Sequence, residues 1–257
     1  MLTTLQFTAN EAAENVAEAV RRAWPEAKVV HIKGLRPQGD IREYYWRFFE
    51  EIGEPLPIAE DATAGDRDSQ RTGGYWFEVR YDPAVPDAYR HSANAQPLHT
   101  DMSYIPIPGS VGFLGCVAMA DEGGATTFID ADDLIEALRS EAPDLLHRLE
   151  RTELPHARSG DRRTEKVVRH EGGRTLLNWN YYCVDPDVGD AAQRLREDFF
   201  HFLQASANVA AKTRRVKLSP GEAVLWKDEH VLHGRDSFDA DEPSVRFLWK
   251  SGLLINA

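Results

Sequence analysis

The sequence predicts a mainly β fold with flanking helices, built on a double-stranded β-helix (jelly-roll) core. Short apolar segments separated by turn residues recur along the 257 residues, and amphipathic segments between them predict helices packed outside the strands. No internal repeat or low-complexity tract is present in the sequence. A chain of this length can bury one sizeable core and shows no break in composition, so we expect a single domain over residues 1–257.

Apolar spacing and turn residues place the individual elements. Asn10 can cap a helix that runs to Ala23, and an aromatic-rich helix from Ile41 to Ile52 should stop at Gly53-Glu54-Pro55. Further helices are predicted at residues 131–139, 143–151 and 190–212. Strands are predicted at residues 28–32, 76–80, 98–104, 111–118, 126–129, 175–182, 223–226 and 245–254.

Composition narrows the functional classes. A formal net charge of -12 and an isoelectric point near 5.2 argue against a nucleic-acid partner, because such a surface repels phosphates. The first residues lack the pattern of a signal peptide, and no segment is apolar enough for a membrane span. Cys116 and Cys183 lie in apolar segments without metal-ligand spacing. We therefore expect a cytoplasmic protein with reduced cysteines and no membrane partner.

His99-Thr100-Asp101 is the strongest local signal for chemistry. Residues i and i+2 of a strand project from the same face, so His99 and Asp101 can bind one metal ion. Of the nine histidines, only His99 has an acidic residue two positions later. Taken alone, such a triplet is more often structural. With a second histidine it completes the donor set that leaves three octahedral positions open in non-haem Fe(II) oxygenases.

Three segments occur in an order that is typical of one family. They are Gln96–Tyr104 with its His-x-Asp triplet, Gly123–Phe128 with the pattern Gly-Gly-x-Thr-x-Phe, and Val231–Phe238 with His233-Gly234-Arg235. Over about Val29 to Leu253 the chain resembles the taurine dioxygenase / TfdA-like (clavaminate synthase-like) family of iron(II)/2-oxoglutarate-dependent oxygenases. The resemblance implies a jelly-roll barrel with iron at its mouth, and it implies Fe(II), 2-oxoglutarate and O2 as cofactor and co-substrates.

The resemblance identifies His233 as the third metal ligand, beside His99 and Asp101. His230 is the alternative, but the two histidines have opposite parity in a strand. His233 is also followed by a glycine, which lets the backbone approach the metal closely. We therefore prefer His233.

The resemblance also implies a binding site for 2-oxoglutarate. In the family, an arginine about as far after the distal histidine as Arg246 is after His233 forms a salt bridge to the distal carboxylate, and a threonine equivalent to Thr126 hydrogen-bonds it. A guanidinium suits this role because it matches a carboxylate in a bidentate fork and stays charged. Two alternatives remain. Arg246 can be a surface arginine, and Thr127 can replace Thr126 if the register slips by one.

Asn94 and Lys250 are the candidate substrate contacts. Lys250 follows Arg246 by four residues and shares its parity, so both side chains can face the barrel interior, although a lysine near a chain end often reaches solvent. Asn94 precedes the metal triplet and resembles asparagines that bind substrate in relatives, but a turn is the commoner role. Two polar segments, residues 59–72 and 158–163, can be lids or solvated connections.

The sequence thus predicts an iron(II)/2-oxoglutarate-dependent dioxygenase with a small-molecule substrate. We expect it to oxidise, chiefly by hydroxylation, a small amino-acid-like molecule, free or bound to a carrier protein, with release of succinate and CO2. Asp101 argues against halogenation, because halogenating relatives carry a small residue there. A non-catalytic iron/2-oxoglutarate binding or sensing module is the alternative, and a zinc hydrolase is disfavoured because Arg246 would have no role. The oligomeric state is left open.

Overall fold

The computed structural model describes residues 2–57, 74–84, 89–107, 109–158 and 160–255. Within these ranges, strands and helices account for most of the chain. The strands are β1 (Leu2–Gln6), β2 (Val29–Lys33), β3 (Gly53–Leu56), β4 (Phe77–Arg80), β5 (Gln96–His99), β6 (Ser110–Ala118), β7 (Thr126–Asp130), β8 (Glu153–Arg158), β9 (Asp161–Lys166), β10 (Val168–Glu171), β11 (Arg174–Leu177), β12 (Arg214–Val216), β13 (Ala223–Lys227), β14 (Val231–Arg235) and β15 (Phe247–Ile255). The helices are α1 (Ala13–Ala23), α2 (Ile41–Ile52), α3 (Ala131–Glu141), α4 (Pro143–Leu149), α5 (Asp190–Ala205) and α6 (Ala207–Lys212), with short 3-10 helices at Tyr89–His91, Tyr181–Cys183 and Asp228–His230.

Two sheets form the core of the molecule. The larger follows the order β1-β2-β13-β6-β15-β3, with β4 also paired to β15, and the smaller follows the order β12-β7-β14-β5. Neighbouring strands are antiparallel except for β1 and β2. Side chains from both sheets, including Leu114 and Trp226 from one and Phe128 and Val231 from the other, share one apolar cluster. This is the double-stranded β-helix that the sequence predicts.

Helices α1 and α2 cover the outer face of the larger sheet. Tyr45, Phe48, Phe49 and Ile52 repeat at helical spacing and are all buried. Each such side chain contributes about 1.5–3 kcal/mol on full burial. The strand β13 is therefore covered on both faces: Leu225 packs under these helices and Trp226 faces the inter-sheet cluster. A strand that is buried on both faces has a continuous apolar sequence, and this explains why β13 could be predicted at residues 223–226.

Some predicted boundaries were wrong for physical reasons. The predicted strand at 98–104 ends at His99, and residues 101–104 form turns. The strand at 175–182 ends at Leu177, before a 3-10 helix. Asn10 caps nothing, since α1 begins at Ala13. The helix at 190–212 is two helices, because the Ser206 side chain accepts from the Val209 N–H and starts α6.

Several elements were missed altogether. The hairpin of β8 and β9 was missed because β9 reads Asp-Arg-Arg-Thr-Glu-Lys and offers no apolar alternation. The segment Gly53–Leu56, predicted only as a helix stop, pairs with β15 as an edge strand. Strands β1, β10 and β12 were also absent from the prediction, and β14 entered it only as the strand assumed for His230 and His233.

The remaining sequence predictions have mixed outcomes. Residues 59–72 lie outside the described ranges, whereas residues 158 and 161–163 belong to the β8–β9 hairpin. Cys116 and Cys183 are both buried thiols. Among the described residues, none of the helices combines the length and apolarity that a membrane crossing requires. The single domain over residues 1–257 stays a prediction.

Candidate metal centre

The three predicted ligands meet at the junction of two paired strands. His99 is the last residue of β5, and its Cα partner on β14 is His233. Asp101 lies two residues beyond the strand in a turn, so the expectation that His99 and Asp101 share a strand face was wrong. The turn nevertheless brings Asp101 Oδ1 to 3.7 Å from His99 Nε2 and 3.5 Å from His233 Nε2. One donor atom from each residue lies within 4.8 Å of the others.

The pairing of β5 with β14 contains a bulge that sets this geometry. His233 pairs with His99 and Arg235 pairs with Gln96, so β5 carries one extra residue. A Cβ at Gly234 would lie 2.6 Å from the Gln96 carbonyl oxygen. The glycine is therefore required for the approach of β5, rather than for the backbone approach to a metal that the sequence suggested. His230 lies outside β14 in a 3-10 helix, so the parity argument against it does not apply, yet it is not part of the donor cluster.

The two histidines present Nε2 to Asp101. His99 Nδ1 lies 2.8 Å from the Pro97 carbonyl oxygen, which only accepts, so Nδ1 donates to it and Nε2 faces the cluster. Burial outweighs the opposing charge of Asp101 and lowers the pKa of His233 to about 4, so its imidazole is neutral near pH 7. Gln96 was not predicted as a site residue, but its side-chain nitrogen lies 3.2 Å from His99 Nε2.

Asp101 is ionised and paired. Its burial raises the pKa, but the charge of Lys250 and the two histidines outweigh burial and hold the pKa of Asp101 well below its usual range. Lys250 Nζ donates to Asp101 Oδ1 and lies 5.6 Å and 5.8 Å from the ring centroids of Phe77 and Trp226. The Lys250 side chain is 16% exposed, so it faces the interior of the protein rather than solvent.

Asp228 is a second buried carboxylate next to the centre, and the sequence analysis missed it. It accepts hydrogen bonds from the backbone N–H groups of Asp101 (2.9 Å) and Met102 (3.0 Å). Burial, followed by the negative charge of Asp101, raises the pKa of Asp228 to about 6. The available signal was an acidic residue five positions before His233, directly after an apolar strand.

A cavity of about 620 Å³ opens onto this centre. Its lining includes all the predicted site residues, namely Asn94, His99, Asp101, Thr126, His233, Arg246 and Lys250. It also includes Arg158, from the predicted lid segment 158–163, and residues that the sequence did not single out, among them Phe77, Tyr89 and Arg90. Thr127 is not part of the lining, whereas the Thr126 hydroxyl faces it buried and without a hydrogen-bond partner. The donor set thus lies in the wall of a cavity large enough for small molecules.

Two buried arginines lie together in the cavity wall. Arg246 Nε donates to the Gly124 carbonyl at 3.0 Å, and Arg235 donates to the carbonyls of Ser92 and Asn94. Both guanidinium groups lie within 6 Å of the Phe238 ring centroid. Burial, with the charge of Arg235 adding to it, lowers the pKa of Arg246 to about 9, and burial lowers that of Arg235 to about 10. Within the described residues neither arginine has a carboxylate partner, so the two buried cations can bind an anion.

The donor chemistry fits a divalent transition metal with open positions. Two imidazoles and one carboxylate form the two-histidine, one-carboxylate set of non-haem Fe(II) sites, and the adjoining cavity leaves room for exchangeable ligands. The fold and this donor set define a mononuclear metal-centre protein of the double-stranded β-helix class. The profile of the taurine catabolism dioxygenase TauD, TfdA family matches residues 3–251, and the chain belongs to that family.

Individual relatives agree with the family assignment. The chain is 28% identical over 191 residues to gamma-butyrobetaine dioxygenase from Pseudomonas sp. (strain AK-1), covering 65% of this chain and 45% of that protein. The chain therefore matches less than half the length of this relative. An asparagine oxygenase structure has a TM-score of 0.63 at 14% identity, covering 94% of this chain and 78% of that one. A taurine dioxygenase structure from Burkholderia xenovorans has a TM-score of 0.65 at 18% identity, covering 98% and 86%. These two structural matches show the same fold.

Proposed function

We propose that the protein is an iron(II)/2-oxoglutarate-dependent dioxygenase that hydroxylates a small, amino-acid-like molecule, with release of succinate and CO2. The observation that carries the proposal is one cavity that combines the His99, Asp101 and His233 donors with two buried guanidinium groups. A metal site alone would fit many reactions. The added anion site within the same cavity is what a keto acid with a distal carboxylate requires.

Each residue has a separate task in this proposal. His99, Asp101 and His233 would hold Fe(II) from one side and leave the cavity side open. Arg246 and Thr126 would bind the distal carboxylate of 2-oxoglutarate and so fix its orientation. When bound, the metal with 2-oxoglutarate and O2 would supply the oxidising chemistry, and two rings of the apolar cluster between the sheets, Trp226 and Phe128, pack beside His233.

The charge of the cavity supports an anionic group on the substrate. Among the described lining residues, five are cationic (Arg90, Arg158, Arg235, Arg246 and Lys250) and Asp101 is the one carboxylate, although the chain carries a net charge of -12. A divalent metal adds positive charge and 2-oxoglutarate removes a similar amount. A carboxylate or comparable anion on the substrate would offset part of this positive charge, with Lys250 as its contact and Asn94 in the wall of the same cavity.

The names of the relatives indicate the size and kind of molecule. One is a dioxygenase of gamma-butyrobetaine, and another structure was determined with 3-hydroxyasparagine and succinate. Both names describe small amino-acid-like molecules, and the cavity of about 620 Å³ suits such a molecule together with a co-substrate. The substrate can be free or held on a carrier protein. A cytoplasmic location and the absence of nucleic-acid and membrane partners stay predictions.

Succinate formation tests the proposal. The purified protein with Fe(II) and 2-oxoglutarate should form succinate in air when it is supplied with the right member of a panel of amino acids and related carboxylates. The product should gain the mass of one oxygen atom, and Asp101→Ala should form neither. A protein that binds Fe(II) and 2-oxoglutarate, yet forms no succinate beyond the Asp101→Ala background with any member, would favour the non-catalytic module instead.

A further inference from the structure

Asp228 and Trp226 contact two of the three donor residues at once. Trp226 Nε1 donates to Asp228 Oδ1 at 3.3 Å, and the same carboxylate accepts the N–H groups of Asp101 and Met102. The Trp226 ring packs against the His233 ring with centroids 4.6 Å apart. Trp226 on β13 and Asp228 in the 3-10 helix that follows therefore contact His233 and Asp101, respectively.

His233 depends on this packing because no hydrogen bond holds its Nδ1. Its Nδ1 is buried without a hydrogen-bond partner, whereas His99 Nδ1 is held by the Pro97 carbonyl. Metal-bound histidines are ordinarily oriented by a hydrogen bond at the second ring nitrogen. In His233 the rings of Trp226 and His99, at centroid distances of 4.6 Å and 4.2 Å, take that place.

The turn at Asp101 is likewise held by a residue of another element, Asp228. It follows the end of β5, so the strand ladder does not hold the Asp101 and Met102 N–H groups. Both groups donate to Asp228, which is 2% exposed and lies 127 positions away from Asp101 in sequence. Hydrogen bonds from backbone N–H groups to a buried carboxylate are of the strong, charge-assisted type.

The neighbouring strand is shaped around the indole. A Cβ at Gly112 would lie 2.2 Å from the Trp226 ring, so β6 leaves room for the indole where any other residue would collide with it. The indole is itself fully buried. Its position beside His233 is thus restricted by close packing against Gly112.

We propose that Asp228 and Trp226 are positioning residues that set the coordination geometry of the metal, Asp228 through the Asp101 turn and Trp226 through the His233 ring. This inference rests on the proposed function, because it assumes that the donor cluster binds a metal. Neither residue is a metal ligand in it. Asp228 and Trp226 position the donors before any substrate binds. Substituting them should therefore change the metal affinity and the coordination geometry, and not substrate recognition.

Cobalt(II) binding tests this inference without turnover. Co(II) reports its coordination geometry through its visible absorption spectrum, and titration gives its Kd. Asp228→Asn keeps the shape but presents an amide N–H₂ to one of the two backbone donors. We expect the Kd for Co(II) to rise at least tenfold, and the spectrum at saturation to change. Trp226→Phe keeps the Asp228 charge and a ring beside His233, and it should raise the Kd less while still changing the spectrum.

Glu222→Gln is the matched control. Glu222 is 5% exposed and also accepts two backbone N–H groups, from Gly34 at 2.9 Å and Ser219 at 2.8 Å, but it does not line the cavity. This variant should lower the melting temperature while the Kd and spectrum stay at wild-type values. A change of the same size in Glu222→Gln would show that general destabilisation is the cause and would overturn the inference.

The outcomes separate this inference from the proposed function. A wild-type Kd and spectrum in a folded Asp228→Asn protein would overturn the positioning role alone. If that variant does not fold, a wild-type Kd and spectrum in Trp226→Phe would overturn it. A wild-type protein that binds neither Co(II) nor Fe(II) would overturn both proposals. A wild-type protein that binds metal, responds to both substitutions and never forms succinate would overturn only the proposed function.

Discussion

The ammonium group of Lys250 donates a hydrogen bond to Oδ1 of Asp101, 149 positions away in sequence. The lysine comes from the larger sheet and the aspartate follows a strand of the smaller one. The contact therefore joins the two sheets at the metal centre. It also places a cation in the cavity wall, where the anionic group of the proposed substrate would contact it.

Lys250→Met should raise KM for the prime substrate at least about tenfold, which corresponds to about 1.4 kcal/mol, while KM for 2-oxoglutarate stays near wild type. The reason is the low exposure of Lys250, 16%, since exposed ion pairs contribute only about 0–1 kcal/mol. Steady-state kinetics with each substrate varied in turn will measure both constants. Lys212→Met, which removes an ion-paired lysine outside the cavity, is the control. Two unchanged constants would move substrate recognition to other parts of the cavity.

Arg246→Leu should weaken 2-oxoglutarate binding by roughly 2–5 kcal/mol, because a buried charged contact to its distal carboxylate is lost. Metal content should stay largely intact, since Arg246 is not a donor. The apparent KM for 2-oxoglutarate measures the effect, and Arg215→Leu, an exposed arginine paired with Asp236, should leave it unchanged. An unchanged KM in Arg246→Leu would assign the carboxylate site to Arg235.

Anaerobic addition of Fe(II) and 2-oxoglutarate should produce a weak visible charge-transfer band. The keto acid can chelate the metal only if the protein ligands leave adjacent positions free, which the cavity beside the donor cluster allows. Asp101→Ala and His233→Ala should abolish the band, and His230→Ala should keep it, because His230 lies outside the donor cluster. A normal band in His233→Ala would identify a different third ligand.

His156 should make the free energy of unfolding depend on pH. Burial is the main cause that lowers the pKa of His156 to about 4, so the folded protein stays unprotonated there while the unfolded chain binds a proton below about pH 6.5. Stability is therefore fully present above about pH 6.5 and is lost as the pH falls toward 4, by at most about 3 kcal/mol from this residue. Urea unfolding across this range should show a flatter profile for His156→Gln. His147→Gln, at an exposed position, should keep the wild-type slope.

The sequence predicted those parts of the site that local pattern determines. His99 and Asp101 were found through their spacing, and His233 and Arg246 through an ordered set of segments. The strand argument for Asp101 was wrong because β5 ends one residue after Leu98, and a turn held by Asp228 replaces it. That hydrogen bond joins residues far apart in sequence, so no local periodicity could reveal it.

The fold shows the same division. Helix α2 was predicted to the residue, because its buried aromatics repeat at helical spacing and Asp40 caps it by accepting from the Arg42 N–H. The β8–β9 hairpin was missed because its polar strands gain their order from tertiary contacts, such as the ion pair of Arg163 with Glu229. Elements that are stabilised by distant partners lack a signature in their own residues.

The pairing of His99 with His233 also has a consequence for protein synthesis. A growing chain that has left the ribosome only as far as β13 carries His99 and Asp101, but it lacks both His233 and the Asp228 that holds the Asp101 turn. Such a chain has only two of the three donors, and the turn that carries Asp101 is not yet held by Asp228, so we expect it to bind a metal weakly. We therefore expect iron to bind only after β14 has emerged and paired with β5, when all three donors are present.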